Sequence, residues 1–233
     1  MGKLTPELRK ELMELYEGLR VADVRDGLDW NMMHHYGTMT HDIRPLWRTS
    51  MMGFARTARY IQYQGPVPHM TPEEYTEWSG WYYGNVCTYP WGDDIEDGDV
   101  IVLDCNGVDA GLIGSNNGLE YVLRGARGYV TNGGIRDTDE CILQEIPCWS
   151  AMISQGMDQG RIQYDDKDIP VTVGGVRVNP GDIIVADNDG VVVVPLEIAH
   201  SVAKYARQEN SGDRKGRRAL YEKSGRELDE TVK

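Results

Sequence analysis

Two short apolar runs, each entered through a Gly-Asp pair, constrain this chain more than any other feature. Gly98-Asp99-Val100-Ile101-Val102-Leu103-Asp104 is echoed by Gly181-Asp182-Ile183-Ile184-Val185-Ala186-Asp187. Runs of this length, bounded by turn formers, read as short buried strands. A single pair is no solenoid period; the simplest account is two strands entered by the same kind of turn. A chain built this way is expected to place many short strands in one sheet-based core rather than in a helix bundle.

The rest of the chain fits that frame. Residues 5–19 read as a helix: Thr5 caps it, Pro6 suits its first position, and Leu8, Leu12, Leu15 and Leu19 form one stripe. A second short helix follows over 21–28. Residues 29–49, broken by Gly37 and Pro45, read as irregular, and Met52, Phe54, Ala58 and Tyr60 alternate as in a strand. Thr71-Pro72-Glu73-Glu74 has capping-box form for a helix to about Tyr83. Further on, the pattern predicts a helix over 118–124 and strands near 129–131, 161–164, 170–173, 183–186 and 191–194. A final helix is expected over about 196–210. Nothing marks a linker, so the expectation is one mixed α/β domain over 1–233. Its helices are peripheral: an N-terminal helical region at about 5–28 and a C-terminal helical tail at about 196–233.

Charge and composition narrow the function. The 233 residues carry 24 Lys+Arg against 37 Asp+Glu, a formal net charge of −13. That surface repels phosphates, so no nucleic-acid partner is expected. Residues 200–233 hold 9 basic and 6 acidic side chains, which leaves about −16 on the body and +3 on the tail. Such a tail reads as a contact to a neighbouring subunit. No apolar run approaches the ~18 residues of a membrane span, and Met1–Pro6 lacks a signal-peptide core. Cys87, Cys105, Cys141 and Cys148 form no Cys-x-x-Cys pair. Reduced thiols in a cytoplasmic protein are expected.

The chemistry-bearing stretch is Gly107–Glu140. It holds Gly111-Leu112-Ile113-Gly114-Ser115-Asn116-Asn117-Gly118 and, after a helix and a strand, Asn132-Gly133-Gly134-Ile135-Arg136-Asp137-Thr138-Asp139-Glu140. A Gly/Ser/Asn loop before a helix offers unpaired amides to a carboxylate or phosphate. Arg136-Asp137 sets a bidentate cation beside a hard oxygen ligand. Together they point to an anionic, oxygen-rich ligand with a divalent cation; the alternative is a plain Gly turn and an Arg–Asp surface pair. No Gly-x-Gly-x-x-Gly, P-loop or nucleophile elbow is present. His34, His35 and His41 read as loop histidines, and the cysteines as buried small residues. The aromatic run Tyr75, Trp78, Trp81, Tyr82, Tyr83, Tyr89 and Trp91 reads as core or interface rather than a lid. No Lys lies in Gly107–Glu140, which favours metal over imine chemistry.

Residues 169–195, Ile-Pro-Val-Thr-Val-Gly-Gly-Val-Arg-Val-Asn-Pro-Gly-Asp-Ile-Ile-Val-Ala-Asp-Asn-Asp-Gly-Val-Val-Val-Val-Pro, closely resemble the C-terminal block of the RraA-like family. His41-Asp42-Ile43-Arg44-Pro45-Leu46-Trp47 and the Gly114-to-Asp137 unit agree with it. The family groups 4-hydroxy-4-methyl-2-oxoglutarate aldolases with regulators of ribonuclease E. The resemblance implies a swivelling β/β/α fold in homotrimers or homohexamers with sites between subunits. It implies a class II lyase that cleaves a 4-hydroxy-2-oxo acid to pyruvate and a carbonyl product, and that decarboxylates oxaloacetate. In that reading Arg136 binds the 2-oxo acid, and Asp137 holds Mg²⁺ or Mn²⁺ with Glu140 behind it. The amides of Gly114, Ser115, Asn116 and Asn117 cradle the carboxylate. An acidic residue, Glu209 or Asp213, comes from an adjacent subunit. The loop after Gly114 carries Ser-Asn-Asn where many such aldolases have an acid, so the proton-moving group is not read from the motif. A sugar-acid dehydratase or isomerase on the same scaffold, and a non-catalytic ribonuclease-binding regulator, remain the alternatives.

Overall fold

One long strand organises the molecule. In the computed structural model, which describes residues 4–232, β2 (Met51–Gln62) pairs with three others. It runs parallel to β3 (Asp99–Asp104), antiparallel to β10 (Ile183–Asp187), and antiparallel to β7 (Ile162–Lys167) at its far end. The sheet order is β1 (Arg44–Pro45), β6 (Cys148–Ile153), β5 (Gly128–Ile135), β3, β2, β10 and β11 (Gly190–Val194). β4 (Gly111–Ile113) adds to β5 in parallel. A separate hairpin, β8 (Val171–Val173) and β9 (Val176–Val178), turns through Gly174 and Gly175, both at positive φ.

The two echoing runs are β3 and β10, and they flank β2 at one level: Phe54 pairs with Asp99 on one side and Ile183 on the other. Gly98 and Gly181 adopt φ of +88° and +85°, a conformation that favours glycine. Each following Asp is buried and holds its turn. Asp99 accepts from the Glu96 amide and from Arg9 and Arg56, and Asp182 accepts from the amides of Asn179 and Leu196.

Helices cover the sheet in two groups. α1 (Pro6–Tyr16), α2 (Val21–Trp30) and α6 (Ala199–Ser224) bury Leu12, Tyr16, Val24, Leu28, Val202 and Ala206 against Val192 and Val194. α2 and α6 cross at Gly27, where a Cβ would lie 2.5 Å from the Val202 carbonyl oxygen. α3 (Pro72–Asn85), α4 (Ser115–Leu123) and α5 (Thr138–Leu143) lie with the second core group, around Tyr60, Tyr82, Trp91, Ile101 and Tyr129. Much of the aromatic run is core: Tyr82 and Trp91 are fully buried, with Tyr82 donating to the Ile162 carbonyl and Trp91 to the Tyr60 hydroxyl. All four cysteines are free and buried.

The mixed α/β architecture with helices at both ends matches expectation. Some boundaries differ. α4 begins at Ser115 rather than Gly118, and α6 continues to Ser224, well beyond residue 210. β1, in the stretch read as irregular, and β4, β6, β9 and α5 are additional elements. No helix among the described residues is long and apolar enough to cross a membrane.

Candidate active site

β4 and β5 are parallel neighbours, so the segments leaving their C-terminal ends emerge side by side. In open α/β sheets that is where ligands collect. The first segment is Gly114 and the start of α4; the second is Arg136-Asp137 and the start of α5. Glycine at 114 leaves room for both side chains: a Cβ there would lie 2.5 Å from Asp137 Oδ2 and 3.2 Å from Arg136 Cγ, so the carboxylate would have to shift. Gly111 does the same for the Arg136 stem, where a Cβ would lie 2.8 Å from its Cδ.

Asp137 adopts a left-handed conformation, φ 52°, which Asp tolerates better than most residues. Its side chain turns back to α4 rather than capping α5. Oδ2 accepts from the Ser115 amide at 3.3 Å and lies 3.5 Å from the Ser115 hydroxyl; Oδ1 accepts from Arg136 Nε at 3.2 Å. The Arg136 amide donates to the Ile113 carbonyl at 2.8 Å, fixing one segment on the other. Among the described residues, neither terminal nitrogen of Arg136 makes a hydrogen bond, and the side chain is one third exposed. The planar fork is therefore anchored along Nε, with its two terminal nitrogens unengaged among the described residues.

The structure thus brings Gly114, Ser115, Arg136 and Asp137 together. Asn117 instead braces the loop from within. Its Oδ1 accepts from the Gly114 amide and its Nδ2 donates to the Leu112 carbonyl, both at 2.8 Å. With that side chain and the Gly114 amide already engaged, the first-turn amides of Asn116 and Asn117 are those left without an intrahelical acceptor. Glu140 is exposed on α5 with no hydrogen bond to Asp137. Glu209 accepts from the Trp30 indole at 3.0 Å, and Asp213 pairs with Arg20 and Arg217 at 3.2 Å. Neither touches Arg136 or Asp137 within its own chain.

One further group stands at this site and has no motif to announce it. The segment after β6 returns to β4, where the Gly111 amide donates to the Gly156 carbonyl at 2.9 Å. Two residues on, Asp158 is 3% exposed and accepts from the Tyr89 hydroxyl at 3.0 Å through Oδ2, while its buried Oδ1 has no partner. Burial pushes its carboxyl up to about 6, against the pull of the Tyr89 hydrogen bond and the charges of Arg136 and Arg161.

Within this chain a hard cation at this site would find one carboxylate, that of Asp137. No cluster of three or more His, Cys, Asp or Glu occurs among the described residues. Asp137 Oδ2 receives only long contacts, in a cradle that a Cβ at position 114 would fill. One carboxylate with hydroxyl and water oxygens suits Mg²⁺ or Mn²⁺, which keep several waters, and not zinc. A groove of about 1040 Å³ lies elsewhere, lined by Arg48, Met51, Arg127 and Asp187 among others, and shares no residue with this site.

The family profile described as RraA-like, Aldolase/RraA, matches residues 21–193. The chain belongs to the RraA-like family. Among its relatives, a Deinococcus radiodurans protein provisionally named a 4-hydroxy-4-methyl-2-oxoglutarate aldolase is 36% identical over 102 residues, 43% of this chain and 62% of that one. A Thermus thermophilus protein named 4-hydroxy-4-methyl-2-oxoglutarate aldolase is 32% identical over 100 residues, 42% of this chain and 60% of that one. This RraA-like chain therefore spans about three fifths of the length of such curated relatives. In fold it is similar to Streptomyces coelicolor RraAS2, described as an unusual member of the RNase ES inhibitor RraA family. The TM-score is 0.71 at 23% identity, over 89% of this chain and 96% of that one.

Proposed function

We propose that this protein is a divalent-metal-dependent class II lyase that cleaves a 4-hydroxy-2-oxo acid to pyruvate and a carbonyl product, and that also decarboxylates oxaloacetate. The observation that carries this reading is the Arg136 fork. Both terminal nitrogens are open, Nε is fixed on Asp137, and the first-turn amides of α4 belong to the neighbouring segment. A fork held in this way suits the carboxylate and 2-oxo oxygens of such an acid. Names of relatives as aldolases support the same chemistry.

Asp137, directly or through water, would hold Mg²⁺ or Mn²⁺. When bound, the cation supplies Lewis-acid chemistry that draws charge off the 2-oxo group. Arg136 binds and orients the acid, and places fixed positive charge where oxygen becomes negative as the carbon–carbon bond breaks. Gly114 and Gly111 let the Arg136 stem and the Asp137 carboxylate approach the loop closely enough to do this. The site is completed in a homotrimer or hexamer in the cytoplasm, with Glu209 or Asp213 of an adjacent copy facing it.

Pyruvate release, followed by coupled NADH oxidation, tests the proposal. The purified protein is offered oxaloacetate and a panel of 4-hydroxy-2-oxo acids with Mg²⁺, then with EDTA. We expect metal-dependent pyruvate that disappears in Arg136→Ala. In Asp137→Ala, cation stimulation should be lost while the fold, by circular dichroism, is unchanged; retained Mg²⁺ dependence would refute the assignment of Asp137.

A further inference from the structure

The loop that follows Gly114 contains no ionisable side chain, yet aldol cleavage moves a proton. Asp137 is assigned above to the cation and holds Arg136 Nε with its other oxygen. Glu140 is exposed. Three of the five histidines are paired elsewhere: His34 with Asp29, His41 with Asp42 and His200 with Glu11. The phenols and thiol nearby are too weakly acidic to serve, because burial raises Tyr83 to about 12 and Tyr89 and Cys87 beyond that range.

Asp158 remains. Its segment is held to the site through Gly111, since a Cβ at that position would lie 2.9 Å from both the Gly156 carbonyl oxygen and Arg136 Cγ. One carboxylate oxygen is fixed by Tyr89; the other is buried with no hydrogen-bond partner. An unsatisfied buried acceptor costs about 1–3 kcal/mol, and such a group in a native fold has a reason, a bound water or ion or a catalytic role among them.

Building on the lyase reading, we propose that Asp158 is the acid–base residue of this site. Its carboxylate takes the proton from the substrate's 4-hydroxyl as C4=O forms and the C3–C4 bond breaks, the bonding pair passing into the enolate. The enolate then takes a proton at C3 from solvent, forming the methyl group of pyruvate, and Asp158 gives its own proton back to solvent. Nothing is oxidised or reduced, and no further reactant is required. Tyr89 and Cys87 face the group from the segment before the Pro90–Asp94 turn, Tyr82 and Tyr83 from α3, Cys105 from the end of β3, Arg136 from the end of β5, and Arg161 from its own loop. A carboxyl near 6 holds a proton far better than an ordinary one and still ionises at neutral pH.

The test compares the full-length wild type with Asp158→Asn and Tyr89→Phe, each with Mg²⁺. Two substrates are used: the 4-hydroxy-2-oxo acid that the wild type cleaves, and oxaloacetate, which loses CO2 with no hydroxyl proton to remove. Asp158→Asn is expected to lower aldol cleavage at least ~100-fold beyond any drop in decarboxylation, within the range of general acid–base catalysis. It should also erase the fall of kcat/KM on the acid side. Tyr89→Phe, which removes a hydrogen bond that favours the carboxylate, should move that fall to higher pH. Equal losses in both reactions would make Asp158 a mere support for Arg136 and overturn the proposal. Unchanged pH profiles in the two variants would overturn it too. A wild type that releases no metal-dependent pyruvate from either substrate instead overturns the lyase reading, and this proposal with it.

Discussion

At Arg136 three demands meet on one side chain. Nε must hold Asp137, the outer edge must stay open, and the stem must pass two glycines. A lysine cannot meet the first two together, since its ammonium is a single point charge. Arg136→Lys is therefore expected to lose most activity, about 10²-fold in kcat/KM, and wild-type kinetics would move the site elsewhere. Asp158 carries a second expectation, one of stability. Its folded carboxyl, at about 6, stands above the ordinary value of 3.8, so ionisation opposes folding. The cost is fully present above about 6 and vanishes as pH falls below 3.8. Asp158→Asn never ionises and should melt several degrees higher at pH 8, with the gain fading at pH 4; calorimetry at the two values decides. Higher stability with lost activity is the expected signature of a group kept for chemistry.

At the scale of elements, the α2–α6 crossing shows which of two effects wins. Alanine is a better helix former than glycine by about 1 kcal/mol, but a Cβ at position 27 meets the Val202 carbonyl at 2.5 Å. Backbone cannot move aside as a side chain can, so Gly27→Ala should lower stability by about 1–3 kcal/mol in denaturant titration. The elements legible in sequence were those with period or punctuation, such as the Leu stripe of α1, the capping box of α3 and the Gly-Asp turns into β3 and β10. α4 starts early because Ser115, Asn116 and Asn117 are weak helix formers, held there by the Asn117 side chain. β6 lacks alternation because Cys148, Trp149 and Ser150 are all buried, between β5 on one side and β1 on the other. The Arg136-Asp137 pair was legible because motif and loop chemistry coincide there. Asp158 was not: a lone acid among Gln, Gly and Met has no spacing, and only the return of its segment to Gly111 gives it meaning.

In the whole molecule, α6 serves two purposes along its length. Val202, Ala203 and Ala206 belong to the chain's own core, and Asn210 donates to the buried Asp23 carboxylate at 2.7 Å. Removal of the chain after Pro195 would therefore damage folding as well as any assembly. Beyond residue 210 the helix is largely exposed and carries Arg214, Lys215, Arg217, Arg218 and Lys223 against Asp213 and Glu222. Truncation after Ser211 is the cleaner test: the melting temperature should hold within a few degrees while light scattering shows a smaller particle. An unchanged oligomer would remove the tail from assembly. The same layout has a cost during synthesis. β2 emerges early, but the strand that closes one of its edges, β10, and the helix that seats α2 are made near the end. Until then the growing chain presents a bare strand edge and two amphipathic helices with nothing to dock on, an invitation to wrong partners. The interval between the making of β2 and the making of β10 and α6 is when this fold is most open to wrong pairing.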